Sequence, residues 1–224
     1  MKSNNREQLR AQLQVYFIMG SNNCLNADPV RVLADAIAGG ITLFQYREKG
    51  TGALTGNAMR ELASELRKLC QKHAIPFIVN DNLELALELN ADGIHIGQED
   101  LAAAIVRQKM GPDRILGVSA YNPEEAKAAL QQGADYLGVG PIFTTRTKED
   151  AKDALGLVAI HDILRSGITL PIVGIGGITV DNAEDVIQAG ADGVAIITAI
   201  SHANDPYNAA EVLSRIVAKA KLVK

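Results

Sequence analysis

The sequence predicts an α/β fold, namely a single-domain (β/α)8 TIM barrel with a short extra N-terminal helix. Three observations predict it: eight short apolar runs, helical spacing between them, and a recurring joint from helix to strand. Continuous apolar runs are typical of parallel strands that are buried on both faces. Because this barrel needs about 200 residues or more, a chain of 224 residues is long enough. An open, doubly wound sheet is the alternative, although it usually has fewer strands.

The predicted strands are short, rich in β-branched residues and bounded by turn residues. They are residues 15–19, 41–45, 76–80, 93–96, 115–119, 136–140, 171–174 and 193–197. Helical spacing predicts a helix before residue 15 and further helices at 29–38, 54–73, 83–89, 101–110, 123–132, 155–166, 180–188 and 206–222. Asp28, Asn122 and Asp205 each precede a proline, which is the pattern of a helix cap followed by the first helical turn.

A short joint recurs three times and supports a repeated βα unit. The segments ELNADGIHIG, QQGADYLGVG and QAGADGVAII each pass from a helix through Asn/Gly-Ala-Asp into a strand. No Pro/Ser/Gly-rich linker divides the chain. We therefore expect residues 1–224 to form one barrel domain.

Composition excludes several classes of partner. The net charge is −4, there is no Trp, and aromatic residues make up 4% of the chain. These values do not favour binding to nucleic acid or to anionic membranes. No apolar run is long enough to span a bilayer and the N-terminus lacks a secretory signal, while Cys24 and Cys70 lie far apart. These features predict a cytoplasmic protein without a disulfide framework; nothing in the sequence decides between a monomer and a homo-oligomer.

Candidate functional groups follow the predicted strands, where active sites of such barrels lie. The second strand runs into residues 45–49, where Gln45, Arg47 and Lys49 alternate and, as a strand, point to one face. Two cations on the inner rim of a barrel are costly unless an anion binds them. The alternative is a solvated surface run, in which Tyr46 and Glu48 face the helices.

Two aspartates predict a magnesium site at the same rim. Asp81 and Asp100 follow the third and fourth strands, and paired carboxylates beside phosphate-binding cations are typical of Mg²⁺ sites. The alternative is that each aspartate caps the helix that follows it. The charges of Mg²⁺, the two aspartates and three cations of the rim add up to about +3, which suits a diphosphate. The three cations are Arg47, Lys49 and Lys148.

The turns after the last two strands predict a second anion site. Gly174–Gly177 and Ile197-Thr198 occur where barrels commonly hold a monophosphate through backbone N–H groups. A tight strand-to-helix turn is the alternative explanation of the glycines. We interpret His95, on the fourth strand, as a buried hydrogen-bonded residue, with a direct acid–base role as the alternative.

The motifs FQYREK, IVNDN, DGIHIGQED, LGVSAYN, GADYLGVGPIFTTRTKEDA, IVGIGGI and GADGVAIITAI occur in order between Tyr16 and Ile200. Together they resemble the thiamin phosphate synthase family. The resemblance implies a (β/α)8 transferase that joins hydroxymethylpyrimidine diphosphate to hydroxyethylthiazole phosphate with Mg²⁺ and releases diphosphate. It also implies a dissociative mechanism, in which the C–O bond breaks before the thiazole nitrogen attacks the resulting carbocation.

The resemblance further implies residue roles. The pyrimidine diphosphate would be held by Gln45, Tyr46, Arg47, Glu48, Lys49, Asn80, Ser119 and Lys148, and Mg²⁺ by Asp81 and Asp100. The thiazole phosphate would be held by Thr145, Arg146, Thr147, Gly177, Ile197 and Thr198. Arg47, Lys49, Ser119 and Lys148 would be the catalytic residues. Thr144 and Thr198 depart from the family, which commonly has Pro and Ser at these positions.

Three other functions fit parts of this pattern. A thiazole tautomerase would need the thiazole phosphate site and a proton-transfer group such as His95. A phosphate-binding barrel enzyme of sugar or tryptophan metabolism would share the last two turns but not the aspartates. A non-catalytic thiamin-phosphate sensor would bind the product without turnover.

Overall fold

A computed structural model describes residues 3–145, 147 and 153–222, with side chains from residue 6 onward. Its eight parallel strands close into a barrel in sequence order, and the eighth pairs with the first. The strands are β1 (Val15–Met19), β2 (Leu43–Tyr46), β3 (Phe77–Asn80), β4 (Gly93–Ile96), β5 (Ile115–Ala120), β6 (Tyr136–Val139), β7 (Ile172–Ile175) and β8 (Gly193–Ile196). The predicted (β/α)8 barrel is confirmed.

Helices surround the strands and also precede them. They are α1 (Ser3–Gln12), α2 (Pro29–Ala38), α3 (Gly56–Lys72), α4 (Leu83–Glu88), α5 (Ala103–Met110), α6 (Pro123–Gln131), α7 (Val158–Arg165), α8 (Ala183–Gln188), α9 (Thr198–Ser201) and α10 (Pro206–Leu222). The extra N-terminal helix is confirmed, whereas the short α9 was not predicted. Within the described ranges, no helix combines the length and apolar character needed to cross a bilayer.

The core has an outer and an inner part. The outer part lies between the strands and the helices, and the inner part fills the barrel with side chains that include Tyr16, Ile18 and Tyr136. Leu9 and Leu13 join this inner cluster, so α1 closes the N-terminal end of the barrel. The other end therefore remains as the place for a binding site.

The recurring joint has a physical explanation. Each joint aspartate accepts a hydrogen bond from the backbone N–H at the start of a neighbouring strand: Asp92 from Phe77 (2.8 Å), Asp135 from Leu116 (2.9 Å) and Asp192 from Ile172 (2.9 Å). The residue two positions before each aspartate has positive φ in all three copies: 50° at Asn90, 89° at Gly133 and 114° at Gly190. Gly and Asn tolerate that conformation best, which explains their alternation in the repeat.

Several helices start later than the spacing predicted. α3 begins at Gly56, because the N–H of Leu54 donates to the Glu48 carboxylate at 2.7 Å. α7 begins at Val158, because the N–H of Leu155 donates to the carbonyl of Pro141 at 2.8 Å. In both cases a contact with a distant loop holds residues that the apolar pattern alone assigns to the helix.

Candidate active site

A cavity of about 250 Å³ opens at the C-terminal ends of the strands. Residues at the ends of β2 to β8 line it, which places most of the predicted site residues together. The predicted residues in its wall are Arg47, Lys49, Asn80, Asp81, Asp100, Ser119, Thr145, Thr147, Gly177, Ile197 and Thr198. Arg146 and Lys148 lie outside the described residues.

Three residues named by the resemblance do not line the cavity. The hydroxyl of Tyr46 donates to the carbonyl of Met59 at 3.1 Å, on the helix side of the sheet. The Glu48 carboxylate accepts from the backbone N–H groups of Ser21 (2.9 Å) and Leu54 (2.7 Å) and therefore anchors two loops. Gln45 is 1% exposed and lies inside the barrel beneath the cavity.

The cations form one wall of the site. Arg47 is only 7% exposed, although it belongs to a run of charged residues, so the solvated-surface alternative does not apply to it. The ammonium group of Lys49 lies 2.9 Å from a carboxylate oxygen of Asp81. This hydrogen bond raises the pKa of Lys49, so the lysine is positively charged at neutral pH.

The two aspartates face the cavity instead of capping helices. Asn82 caps α4, because its side-chain oxygen accepts from the N–H of Leu85 at 3.0 Å. Asp100 accepts from the N–H of Gly97 at 2.7 Å, and α5 begins only at Ala103. The capping alternative is therefore wrong for both aspartates. Asp81 has a φ of 59°, an uncommon conformation for a residue other than glycine and one that often marks functional sites.

The arrangement of the carboxylates suits a divalent cation. Burial raises the pKa of Asp100 above its usual value, and its hydrogen bond with Asp81 raises it further. Two carboxyl groups that oppose each other's ionisation are stabilised when a cation lies between them. No cluster of three or more His, Cys, Asp or Glu side chains that could hold a metal occurs in the described part of the chain. A cation held here would take its remaining ligands from water and a bound phosphate, as Mg²⁺ does.

The glycine turn after β7 serves packing as well as the cavity. Gly176 and Gly177 have φ values of 96° and 66°, and a Cβ atom on Gly177 would lie 2.7 Å from the carbonyl oxygen of Thr144. The turn must therefore be glycine to pack against the loop after β6. The position of this turn in the cavity wall, next to the start of α9 at Thr198, indicates an anion site more directly than the glycines themselves do.

The sequence analysis named Ser119 and His95 but did not predict the hydrogen bonds that join His95 to Ser119 and Tyr136 at the cavity floor. His95 contacts the Tyr136 hydroxyl through Nδ1 (3.0 Å) and the Ser119 hydroxyl through Nε2 (3.1 Å). The interpretation of His95 as hydrogen-bonded is confirmed, but the residue is only half-buried and lines the cavity. Tyr136 was counted as part of an apolar strand, since the strand pattern does not distinguish a tyrosine that packs from one that donates. Gln98, Tyr121 and Thr179 also line the cavity and were not predicted.

Comparison with known proteins agrees with the geometry. The family model described as thiamine monophosphate synthase matches residues 15–200. The chain belongs to that family. A thiamine-phosphate synthase of Bacillus mycoides is 54% identical over 215 residues, which cover 96% of this chain and 97% of that protein. One of Bacillus cereus is 54% identical over 214 residues, covering 96% and 95%.

Solved structures agree with the family. A thiamine phosphate pyrophosphorylase from Pyrococcus furiosus superposes with a TM-score of 0.84 and 36% identity, covering 95% of this chain and 98% of that one. KGPDC from Streptococcus mutans superposes with a TM-score of 0.67 at 14% identity, covering 92% and 98%, which shows the shared fold alone. The chain is thus an enzyme of a transferase family with a TIM-barrel fold.

Proposed function

We propose that this chain is a Mg²⁺-dependent thiamine-phosphate synthase. It would transfer the hydroxymethylpyrimidine group from its diphosphate to the nitrogen of hydroxyethylthiazole phosphate and release diphosphate. The observation that carries this proposal is the meeting of Arg47 and Lys49 with Asp81 and Asp100 in one cavity. Cations beside paired carboxylates suit a metal-bound diphosphate better than a carboxylate or a nucleic acid.

The diphosphate of the pyrimidine substrate would lie against this group. Arg47 and Lys49, with Lys148 from the loop after β6, would neutralise its oxygens. Asp81 and Asp100 would hold Mg²⁺, which when bound supplies further positive charge to the leaving group. Asn80 and Ser119 line the same wall and offer hydrogen bonds to the pyrimidine.

The thiazole phosphate would occupy the other side of the cavity. Its phosphate would accept hydrogen bonds from backbone N–H groups near Gly177, Ile197 and Thr198, which all line the wall. Thr145 and Thr147 line the adjacent loop, and Arg146 lies between them in the sequence. The departure at Thr198 leaves this proposal unchanged, because threonine keeps both the hydroxyl and the backbone N–H of serine.

The chemistry requires charge stabilisation and positioning. The C–O bond to the diphosphate breaks first, and the diphosphate leaves with the electron pair. The pyrimidine-stabilised carbocation is then attacked by the thiazole nitrogen, which forms the C–N bond. Arg47, Lys49 and Ser119 would stabilise the leaving charge and orient the two substrates, so no covalent nucleophile is needed.

The test is diphosphate release by the purified protein with both substrates, with and without Mg²⁺. We expect release that needs all three components, with thiamin phosphate as the product. Binding of the thiazole phosphate without release would overturn the proposal and favour a tautomerase or a sensor.

Both cysteines are buried and carry no disulfide, which supports the proposed cytoplasmic location.

A further inference from the structure

Five side chains at the floor of the cavity and beneath it form one continuous chain of hydrogen bonds. Gln45 Nε2 lies 2.6 Å from the Tyr16 hydroxyl oxygen, which lies 2.8 Å from that of Tyr136. The Tyr136 hydroxyl lies 3.0 Å from His95 Nδ1, and His95 Nε2 lies 3.1 Å from Ser119 Oγ. The chain therefore runs from a buried amide to a hydroxyl in the cavity wall.

Proton counting gives this chain a direction. The amide nitrogen of Gln45 can only donate, so Tyr16 accepts there and must give its single proton to Tyr136. Tyr136, which accepts that bond, has its own proton left for His95 Nδ1. A ring nitrogen that accepts a hydrogen bond carries no proton, so the proton of the neutral imidazole lies on Nε2.

Burial stabilises this direction. Tyr16 and Tyr136 are 1% and 0% exposed, so a hydroxyl proton without an acceptor would be unfavourable there. Burial also raises the pKa of both tyrosines, which therefore keep their protons. The rings fill space that two glycines leave: a Cβ atom would lie 2.1 Å from the Tyr136 ring at Gly117 and 3.0 Å from His95 at Gly138.

We propose that the Gln45–Tyr16–Tyr136–His95 chain fixes the Nε2–H tautomer of His95 and makes Ser119 a hydrogen-bond donor to the bound substrate. Ser119 accepts from His95 Nε2–H, so its own proton points to another acceptor, and the cavity supplies one when substrate is bound. With the opposite direction, Ser119 would donate to His95 and offer the substrate only lone pairs. The other four residues of the hydrogen-bond chain are thus positioning residues for Ser119: Gln45, Tyr16, Tyr136 and His95.

The inference rests on the proposed function for the identity of the acceptor, which would be a pyrimidine nitrogen or a diphosphate oxygen. Its first part, the tautomer of His95, concerns the free protein alone. The two parts are therefore tested separately.

The first test is ¹⁵N NMR of the imidazole rings in the free protein, with the His95 signals assigned by their loss in His95→Gln. We expect a protonated Nε2 and an unprotonated Nδ1 in the wild type. Tyr136→Phe should shift the ring toward a mixture of tautomers, whereas Tyr46→Phe, which also removes a buried tyrosine hydroxyl, should not. A wild-type ring protonated on Nδ1 would overturn the proposal; the tautomer is determined on the wild-type protein, and His95→Gln serves only to assign its signals.

The second test is a double-mutant cycle on turnover. Ser119→Ala should lower kcat by about 10²–10³, the usual loss for one donor to the transition state. Tyr136→Phe should lower kcat by about 10–100-fold, the loss seen when a metal-bound histidine loses its orienting partner, which we expect here for the orientation of Ser119. If the hydrogen-bond chain acts through Ser119, the kcat of the double variant is no lower than the kcat of Ser119→Ala alone.

Losses that multiply in the double variant would show that Tyr136 acts independently of Ser119 and would overturn the positioning role. Circular dichroism and thermal unfolding verify that the kinetic variants are folded. Failure of the proposed function looks different: the wild type would then release no diphosphate, while the NMR result on the free protein would still stand.

Discussion

The two ends of the barrel use the same residue type in opposite ways. At the N-terminal end, Asp92, Asp135 and Asp192 each accept a backbone N–H, and Arg107 and Arg10 form ion pairs with the last two. At the C-terminal end, burial raises the pKa of Asp100, and its hydrogen bond with Asp81 raises it further. Carboxylates that each hold the N–H of a strand stabilise the fold. The two carboxylates that lie side by side in the cavity also have partners, in Lys49 and the N–H of Gly97, but a cationic ligand would stabilise them further. Stability and function are thus separated along the barrel axis.

The largest expected effect is at the open end. Arg47→Ala should lower turnover by about 10²–10³, because it removes one cation from the departing diphosphate. Diphosphate release measures this loss, and Arg31→Ala, an exposed arginine on α2, is the matched control. Near wild-type turnover in a folded Arg47→Ala protein would contradict the role of this cation.

The second-largest expected effect is on the Mg²⁺ requirement of the enzyme. Asp81→Asn should raise the Mg²⁺ concentration at half-maximal rate by at least about tenfold, since even partners of ligands commonly contribute that much. Titration of activity with Mg²⁺ measures the shift. Asp92→Asn, the control, changes a carboxylate at the closed end and should leave the midpoint of the Mg²⁺ titration unchanged. An unchanged midpoint in Asp81→Asn would argue against metal binding by this residue.

At the closed end, stability should change instead of activity. Asp135→Ala removes the acceptor for the N–H of Leu116 and the partner of Arg107, which lies 2.6 Å away. We expect the free energy of unfolding to fall by about 1–3 kcal/mol, because the buried N–H of Leu116 loses this acceptor, while Arg107 keeps its hydrogen bonds to backbone carbonyls. Denaturant unfolding gives the stability, and kcat per folded molecule should stay within about twofold. A large fall in kcat at full stability would break the separation between the two ends.

The smallest expected effect is a difference between two buried thiols in their rate of chemical modification. Burial raises the pKa of Cys24 and of Cys70 to about 12. The reactive thiolate is therefore scarce at neutral pH, and modification should accelerate as the pH rises toward that value. Cys24 follows a short turn at the open end and Cys70 lies in α3, so Cys24 should be modified first under native conditions. Time-resolved labelling with mass spectrometry decides the order, and faster labelling of Cys70 would mean that the closed end opens more readily.

The sequence predicted the barrel because its signals are local. Apolar runs, helical spacing and the joint at Asp92, Asp135 and Asp192 each lie within about ten residues. Helix starts were less accurate, because long-range contacts such as the bond from Leu54 to Glu48 fix them. Such contacts leave no mark in a single sequence.

The candidate site was predicted where residues follow strands directly. Strand alternation places Arg47 and Lys49 on one side and Tyr46 on the other, as the structure has them. The chain from Tyr16 to Tyr136 joins residues 120 positions apart, and each tyrosine resembles an ordinary strand residue. Arg146 and Lys148 lie outside the described residues, so their roles stay predictions.

The plug formed by α1 has a consequence for practical use of the enzyme. Arg10 of α1 pairs with Asp192, and Lys221 near the end of α10 donates to the carbonyl of the same aspartate at 3.0 Å. Both α1 and the last turn of α10 therefore lie at the closed end. A surface, a tag or a second enzyme attached at either of these positions would leave the cavity open to the solution, so the barrel suits oriented immobilisation.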